Sequence, residues 1–394
     1  MSKHKYLLLS FIVSACTLMF ESCQKADEEQ NTEERLPKLS MLLPDYGWEG
    51  DTITVIGKNF STEISHSDIK VNDKPLTIVK SWPDSIKVIV PADLGSGLLK
   101  LTVQGNTYIG PHFTFHQRAI VTTVAGTGEI GRTDGDQSVS SFNCPWGLAF
   151  DASGNLYVAD VYNRLIRKIS IATNTVSSYE LGLIQFYSPY NIAFDKSDNM
   201  YVTDFNRHLL KIAADGSKSV IYDNETMIGT GVAVDANNNL FVTDNIKGTI
   251  TKLTTDGKNP VLFASGLLTP RNIVFSKEGS MYVATNNIIK VSTTGSLSVA
   301  AYSSGFQGWE IAIDAEGNFY QADHFKNVIK KIDKRGNIHI IAGSGQAADV
   351  DGVGTEASFN GPQGIAIDSE GNLYVSTYNY DTRAGNKIRK IRFE

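Results

Sequence analysis

GLAFDASGNLYVAD, residues 147–160, decides the fold, because five further stretches repeat its pattern. NIAFDKSDNMYVTD (191–204), GVAVDANNNLFVTD (231–244), NIVFSKEGSMYVAT (272–285), EIAIDAEGNFYQAD (310–323) and GIAIDSEGNLYVST (364–377) start 44, 40, 41, 38 and 54 residues after the copy before them. Each reads as a short apolar strand, an aspartate-to-asparagine turn and a second strand, with Gly or Asn where a tight hairpin needs positive φ. A third segment ending in Lys and an aliphatic residue follows each pair: RLIRKI (164–169), HLLKI (208–212), TITKL (249–253), IIKV (288–291), VIKKI (328–332) and KIRKI (387–391). Counting the segment that comes next, each unit has four strands. A sheet that is apolar on both faces can hide them only by stacking against its neighbours around an axis.

The ends of this array fit each other. The last unit stops after three strands, while IVTTVAGTG (120–128), ahead of the first, matches IHIIAGSG (338–345), the fourth strand of the fifth unit. The strand near 120–126 is therefore expected to complete the sixth sheet and remove its open edge. A longer insert, AGTGEIGRTDGDQSVSSFNCPWG (125–147), recurs as AGSGQAADVDGVGTEASFNGPQG (342–364). From residue 118 to 394 the chain resembles the NHL repeat family, which implies a six-bladed β-propeller.

Residues 36–117 read as a separate unit of about seven alternating strands. DTITVIGKNF (51–60) alternates around Ile53 and Val55, IKVNDKPLTIVK (69–80) is a hairpin with Asn72-Asp73 at its tip, and SIKVIVP (85–91) and GLLKLTVQG (97–105) keep the same period. Two packed sheets are the economical arrangement for such a segment. With Pro44, Gly50-Asp51-Thr52, the GKNF turn and the closing HFTF (112–115), it resembles the immunoglobulin-like IPT/TIG family, whose members serve mostly as spacers or adhesion modules. The fold expected is thus all-β, an IPT/TIG sandwich followed by the propeller.

Residues 1–22 carry Lys3, Lys5 and an apolar stretch to Phe20 that is short for a membrane span, and read as a signal peptide. Small residues before a Cys resemble a lipobox. Cys23 is the expected lipidated residue, with Cys16 the alternative, and residues 23–35 are expected to form a flexible acidic tether. The acidic residues beside Cys23 resemble the surface-export signal of Bacteroidetes lipoproteins. That implies an outer-membrane, lipid-anchored and surface-exposed protein. Cys144 then has no partner, so no disulfide is expected and Cys144 reads as a packed apolar group. A net charge of -6 without a long basic run argues against nucleic acid.

The residues just before the six inner strands are Trp146, Tyr190, Thr230, Arg271, Trp309 and Gln363, and those that begin them include Asn191, Asn272 and Glu310. Together Trp146, Tyr190, Asn191, Arg271, Asn272, Trp309, Glu310 and Gln363 are expected to form a concave ligand-binding surface whose flat rings and amides suit sugars. Against this stands a packing role for the three aromatics between blades. Family resemblance also brings in lactonases and lyases with a cation at the axis. Asn191, Asn272 and Glu310 could offer oxygen to calcium, against the simpler reading of a water-filled polar channel.

No paired-histidine spacing surrounds His208 or His324, and no nucleophile elbow occurs. The recurring Asp160, Asp204, Asp244 and Asp323 read as turn-forming, so no catalytic residue is assigned. The leading expectation is a non-enzymatic envelope protein that captures glycan. A propeller hydrolase or lyase and a protein-binding scaffold are the alternatives.

Overall fold

The computed structural model describes residues 36–92, 94–179, 181, 188–205, 207–223, 229–302 and 308–394, without the side chains of residues 229, 230, 308 and 309. The leader, Cys16, Cys23, the acidic tether and the Trp309 side chain therefore lie outside the described residues. Contacts divide the chain into two units at Gln117/Arg118. Apart from two single-turn 3-10 segments, the described secondary structure is β, and no described helix is long and apolar enough to cross a membrane.

The first unit is two sheets face to face. One holds Lys38–Leu43, Thr52–Lys58, Ser85–Ile89 and Thr77–Ser81; the other holds Tyr46–Gly47, Asn106–Phe115, Gly97–Val103, Ser67–Val71 and Lys74–Pro75. Alternation along Thr52–Lys58 sends Ile53 and Val55 inward, where they meet Ile69, Val71, Ile86, Val88, Leu99, Leu101 and Phe113. The expected hairpin forms only in part. Asn72 and Asp73 take positive φ and Val71 pairs with Lys74, but after Pro75 the chain leaves that sheet and Thr77–Ser81 pairs with Ser85–Ile89 in the other.

The second unit has six sheets, each led by one repeat copy. Their innermost strands are Pro145–Phe150, Pro189–Phe194, Gly229–Val234, Asn272–Phe275, Gly308–Ile313 and Pro362–Ile367. Each touches the next, and the last touches the first, so the sheets run in a circuit as blades of a propeller. Ala119–Ala125 is the fourth strand of blade 6, pairing antiparallel with Gly385–Phe393 through Val121 and Ile391. Apolar side chains fill the junctions. Tyr157, Ala159 and Ile166 of blade 1 meet Ile192, Met200 and Val202 of blade 2, each fully buried aliphatic contributing about 1.5–3 kcal/mol.

Two local devices repeat from blade to blade. Asp151 Oδ1 accepts hydrogen bonds from the amides of Ser153 and Asn155 while Oδ2 accepts one from Asn155 Nδ2 at 2.7 Å, and the Asp–Asn bonds recur at Asp195, Asp235, Asp314 and Asp368. Blade 4 substitutes Ser276, whose hydroxyl receives the Ser280 amide. The second device explains the Lys that closes every third strand. Lys168, Lys211, Lys252, Lys290, Lys331 and Lys390 each lie over the ring directly opposite on the second strand, 5.2–5.8 Å from its centre. Such cation–π contacts are worth about 0.5–1 kcal/mol at exposed sites.

Candidate functional site

The turn at the Asp–Asn hairpin places one end of every blade; the loops joining second strand to third sit at the other. The recurring aspartates open those loops. Asp160 accepts from the Asn143 amide and Asn163 Nδ2, Asp204 from the His208 amide, Asp244 from the amides of Ile246 and Lys247, and Asp323 from the Lys326 amide. Their role is to shape the turn.

Held by those turns is a continuous series of rings. Trp146 packs on Tyr190 with centroids 4.7 Å apart, Tyr190 on Phe205 at 4.9 Å, and Trp146 on Tyr380 at 6.0 Å. Tyr380 continues to Tyr378 at 5.1 Å and thence to Tyr162 at 5.7 Å, and to His324 at 5.6 Å, which meets Phe325 at 4.9 Å. Blades 5, 6, 1 and 2 thus contribute to one aromatic arc, each pair adding about 0.5–1.5 kcal/mol beyond its buried area.

Burial divides this arc into a floor and a lip. Trp146 and Tyr190 are only 2% and 3% exposed, so they do not themselves form the open surface expected of them; they pack the junction of blades 1 and 2. The exposed rings are Tyr162 (53%), Phe205 (46%), Phe325 (63%) and Tyr380 (41%). These four rings stand after the second strand of their blades, not at the position before the inner strand where the sequence pattern places the expected surface. The signal was there in DVYNR, DFNRH, DHFKN and YNYDT, where an aromatic follows the second strand by one or two residues. Gln363, also buried, braces this lip: its Nε2 donates to the Tyr378 carbonyl at 2.8 Å and lies 2.9 Å from His324 Nδ1. Arg271 is half-buried near Tyr190 and Tyr380, and burial pulls its pKa below the ordinary value.

Asn191, Asn272 and Glu310 are buried at the axis and stitch blades together. Asn191 Nδ2 donates to Glu310 Oε1 at 2.8 Å, joining blades 2 and 5, while Glu310 Oε2 accepts from the Ile365 amide at 3.4 Å. Asn191 Oδ1 accepts from the Val232 amide at 3.5 Å and Asn272 Oδ1 from the Ile311 amide at 3.4 Å. At the other three junctions the equivalent residue is Gly. A Cβ on Gly147 would lie 2.4 Å from the Tyr190 carbonyl oxygen, and one on Gly364 would lie 2.2 Å from that of Trp146, so neither position admits a side chain.

This donor set does not fit a calcium ion. Calcium takes six or more oxygens with charged carboxylates among them. Here the one carboxyl, Glu310, is pushed up to about 8 by burial, and its oxygens already receive Asn191 and Ile365. No group of three or more His, Cys, Asp or Glu residues among the described ones could hold a metal. Cys144 is buried among Trp146, Val161, Tyr190 and Tyr378, and burial pushes its thiol pKa up, away from nucleophilic character.

Comparison with known proteins matches residues 37–116 to the IPT/TIG domain and residues 142–169 to the NHL repeat. The chain thus carries an IPT/TIG domain and an NHL repeat. A curated relative, Protein SUPPRESSOR OF QUENCHING 1, chloroplastic, of Arabidopsis thaliana, is 26% identical over 286 residues, 66% of this chain. The chain spans about a quarter of that relative's length. Among solved structures, a Bacteroides thetaiotaomicron protein of unknown function is 20% identical over 91% of this chain and 98% of its own, with TM-score 0.61. An auxiliary nutrient binding protein of Bacteroides ovatus gives 18%, 91%, 98% and 0.57. A proposed gluconolactonase gives 12%, 70%, 92% and 0.52. At these identities the likeness speaks for the fold alone.

Proposed function

We propose that the protein is a non-enzymatic binding protein of the cell envelope that captures glycan on the ring-lined end of its propeller. It is anchored in the outer membrane through an acylated Cys23 and faces outward on its acidic tether, with the IPT/TIG unit as spacer. The observation that carries this reading is the exposed lip of Tyr162, Phe205, Phe325 and Tyr380 over the buried floor of Trp146 and Tyr190. Flat apolar faces ringed by polar loops suit stacking of sugar rings. The fold is shared with proteins described as auxiliary nutrient binding proteins of Bacteroides. A propeller enzyme with an axial cation draws less support, since Glu310 is occupied by neighbours within the protein.

The test is retention of the full-length protein, in neutral detergent, on a panel of immobilised polysaccharides. At least one should retain it, and Tyr380→Ala should weaken that binding about tenfold, as truncation of an aromatic anchor does. Retention on none of them, with capture of an envelope protein instead, contradicts the proposal.

A further inference from the structure

The loops that carry the lip carry a second pattern. In five of the six, an exposed ring or aliphatic side chain is followed within three residues by an exposed basic one: Tyr162 by Arg164, Phe205 by Arg207, Ile246 by Lys247, Phe325 by Lys326 and Tyr380 by Arg383. The sixth loop, residues 285–287, is uncharged, but blade 4 supplies Arg271 on its other loop at this end. The aspartates that open these loops are already engaged. Asp160 pairs with buried Arg167 at 3.0 Å and Asp323 with buried Lys330, while Asp204 and Asp244 accept the amides of their own turns. Asp381 is the exposed acid among the described residues of these six loops. In a chain of net charge -6, these loops carry five exposed cations against one exposed acid among their described residues.

We infer that the glycan bound at this end is an anionic polysaccharide, whose carboxylates or sulfates pair with Arg164, Arg207, Lys326 and Arg383 while its rings lie on the adjoining aromatic faces. The inference rests on the glycan reading above and narrows it. Charges at an exposed lip act through long-range attraction and are screened by salt, so they set preference and salt dependence more than raw affinity. Single-stranded nucleic acid also joins negative charge to stackable rings, which makes it the control that matters.

Binding of the full-length protein is measured against two matched pairs, polygalacturonate with its methyl ester and dextran sulfate with dextran, and against oligo(dT). One charged member should bind at least about tenfold more tightly than its neutral partner, and the pair that responds tells carboxylate from sulfate. That preference should collapse when NaCl rises from about 0.05 M to about 0.5 M. Lys326→Gln combined with Arg383→Gln should reduce it about tenfold without altering the melting curve, both side chains being exposed. Equal binding of charged and neutral members, or binding confined to other neutral polysaccharides, overturns the inference and leaves the glycan reading standing. Binding of no polysaccharide overturns both, as does tighter binding of oligo(dT). A preference that ignores salt in the unmodified protein overturns the inference whether or not the variant folds.

Discussion

Glu310 shows how one residue can mislead a reading made from sequence. Standing where three of the other repeats carry Gly, it looks like an oxygen facing an open channel; in the structure it faces Asn191 from the opposite side of the axis at 2.8 Å. Burial raises its pKa from an ordinary 4.5 to about 8, so it is mostly protonated at neutral pH. The folded form then holds the proton more tightly than the unfolded chain. Its contribution to stability is complete below about pH 4.5 and is lost as pH rises through 8. Glu310→Gln removes this titration while keeping the shape of the neutral acid. Melting curves from pH 5 to pH 9 should show the variant gaining on the parent by at least about 1 kcal/mol, and parallel curves would contradict the assignment. The pairing itself was illegible, because nothing local in EIAIDAEG or NIAFDKSD says that residues 119 apart meet.

At the scale of elements, what is local was readable and what is distant was not. Period-two strands and Asp–Asn turns are written within a few residues, and the structure has them where the repeat puts them. The exit of the chain after Pro75 into the other sheet left no such mark. Nor did the anchoring of the two long inserts. Arg167 of blade 1 reaches Asp134 at 2.7 Å and stands over Phe142, while Arg389 of blade 6 reaches Asp349 at 3.1 Å and Asp351 at 2.7 Å and stands over Phe359. The twofold recurrence of the insert is legible; that a basic residue in RKI pins it is clear only once Arg167 and Arg389 are seen fully buried. Arg389→Met should strand the buried Asp349 and cost about 3 kcal/mol in denaturant unfolding, since removing one partner leaves an uncompensated charge. A loss below about 0.5 kcal/mol, the size of an exposed pair, would mean the insert is held by other contacts.

For the whole molecule, the site depends on the circuit. Tyr380 meets Trp146 across the junction of the last blade and the first, and that junction exists because Ala119–Ala125 lies against Gly385–Phe393. Val121, Ala125, Ile388 and Ile391 are fully buried there, so the segment before the first repeat is core to the blade that closes after the last. The match of IVTTVAGTG to IHIIAGSG made this arrangement readable, whereas the division of the rings at one mouth into a buried floor and an exposed lip emerged only from the folded loops. If the strand is a true member of blade 6, opening it means opening the propeller, and its amides share the free energy of the global transition. Native-state hydrogen exchange resolved over residues 119–125 and 385–393 measures this directly. The two segments should exchange together, at the rate of global unfolding; exchange of 119–125 within seconds while 385–393 stays protected would show that the circuit is not closed by this strand.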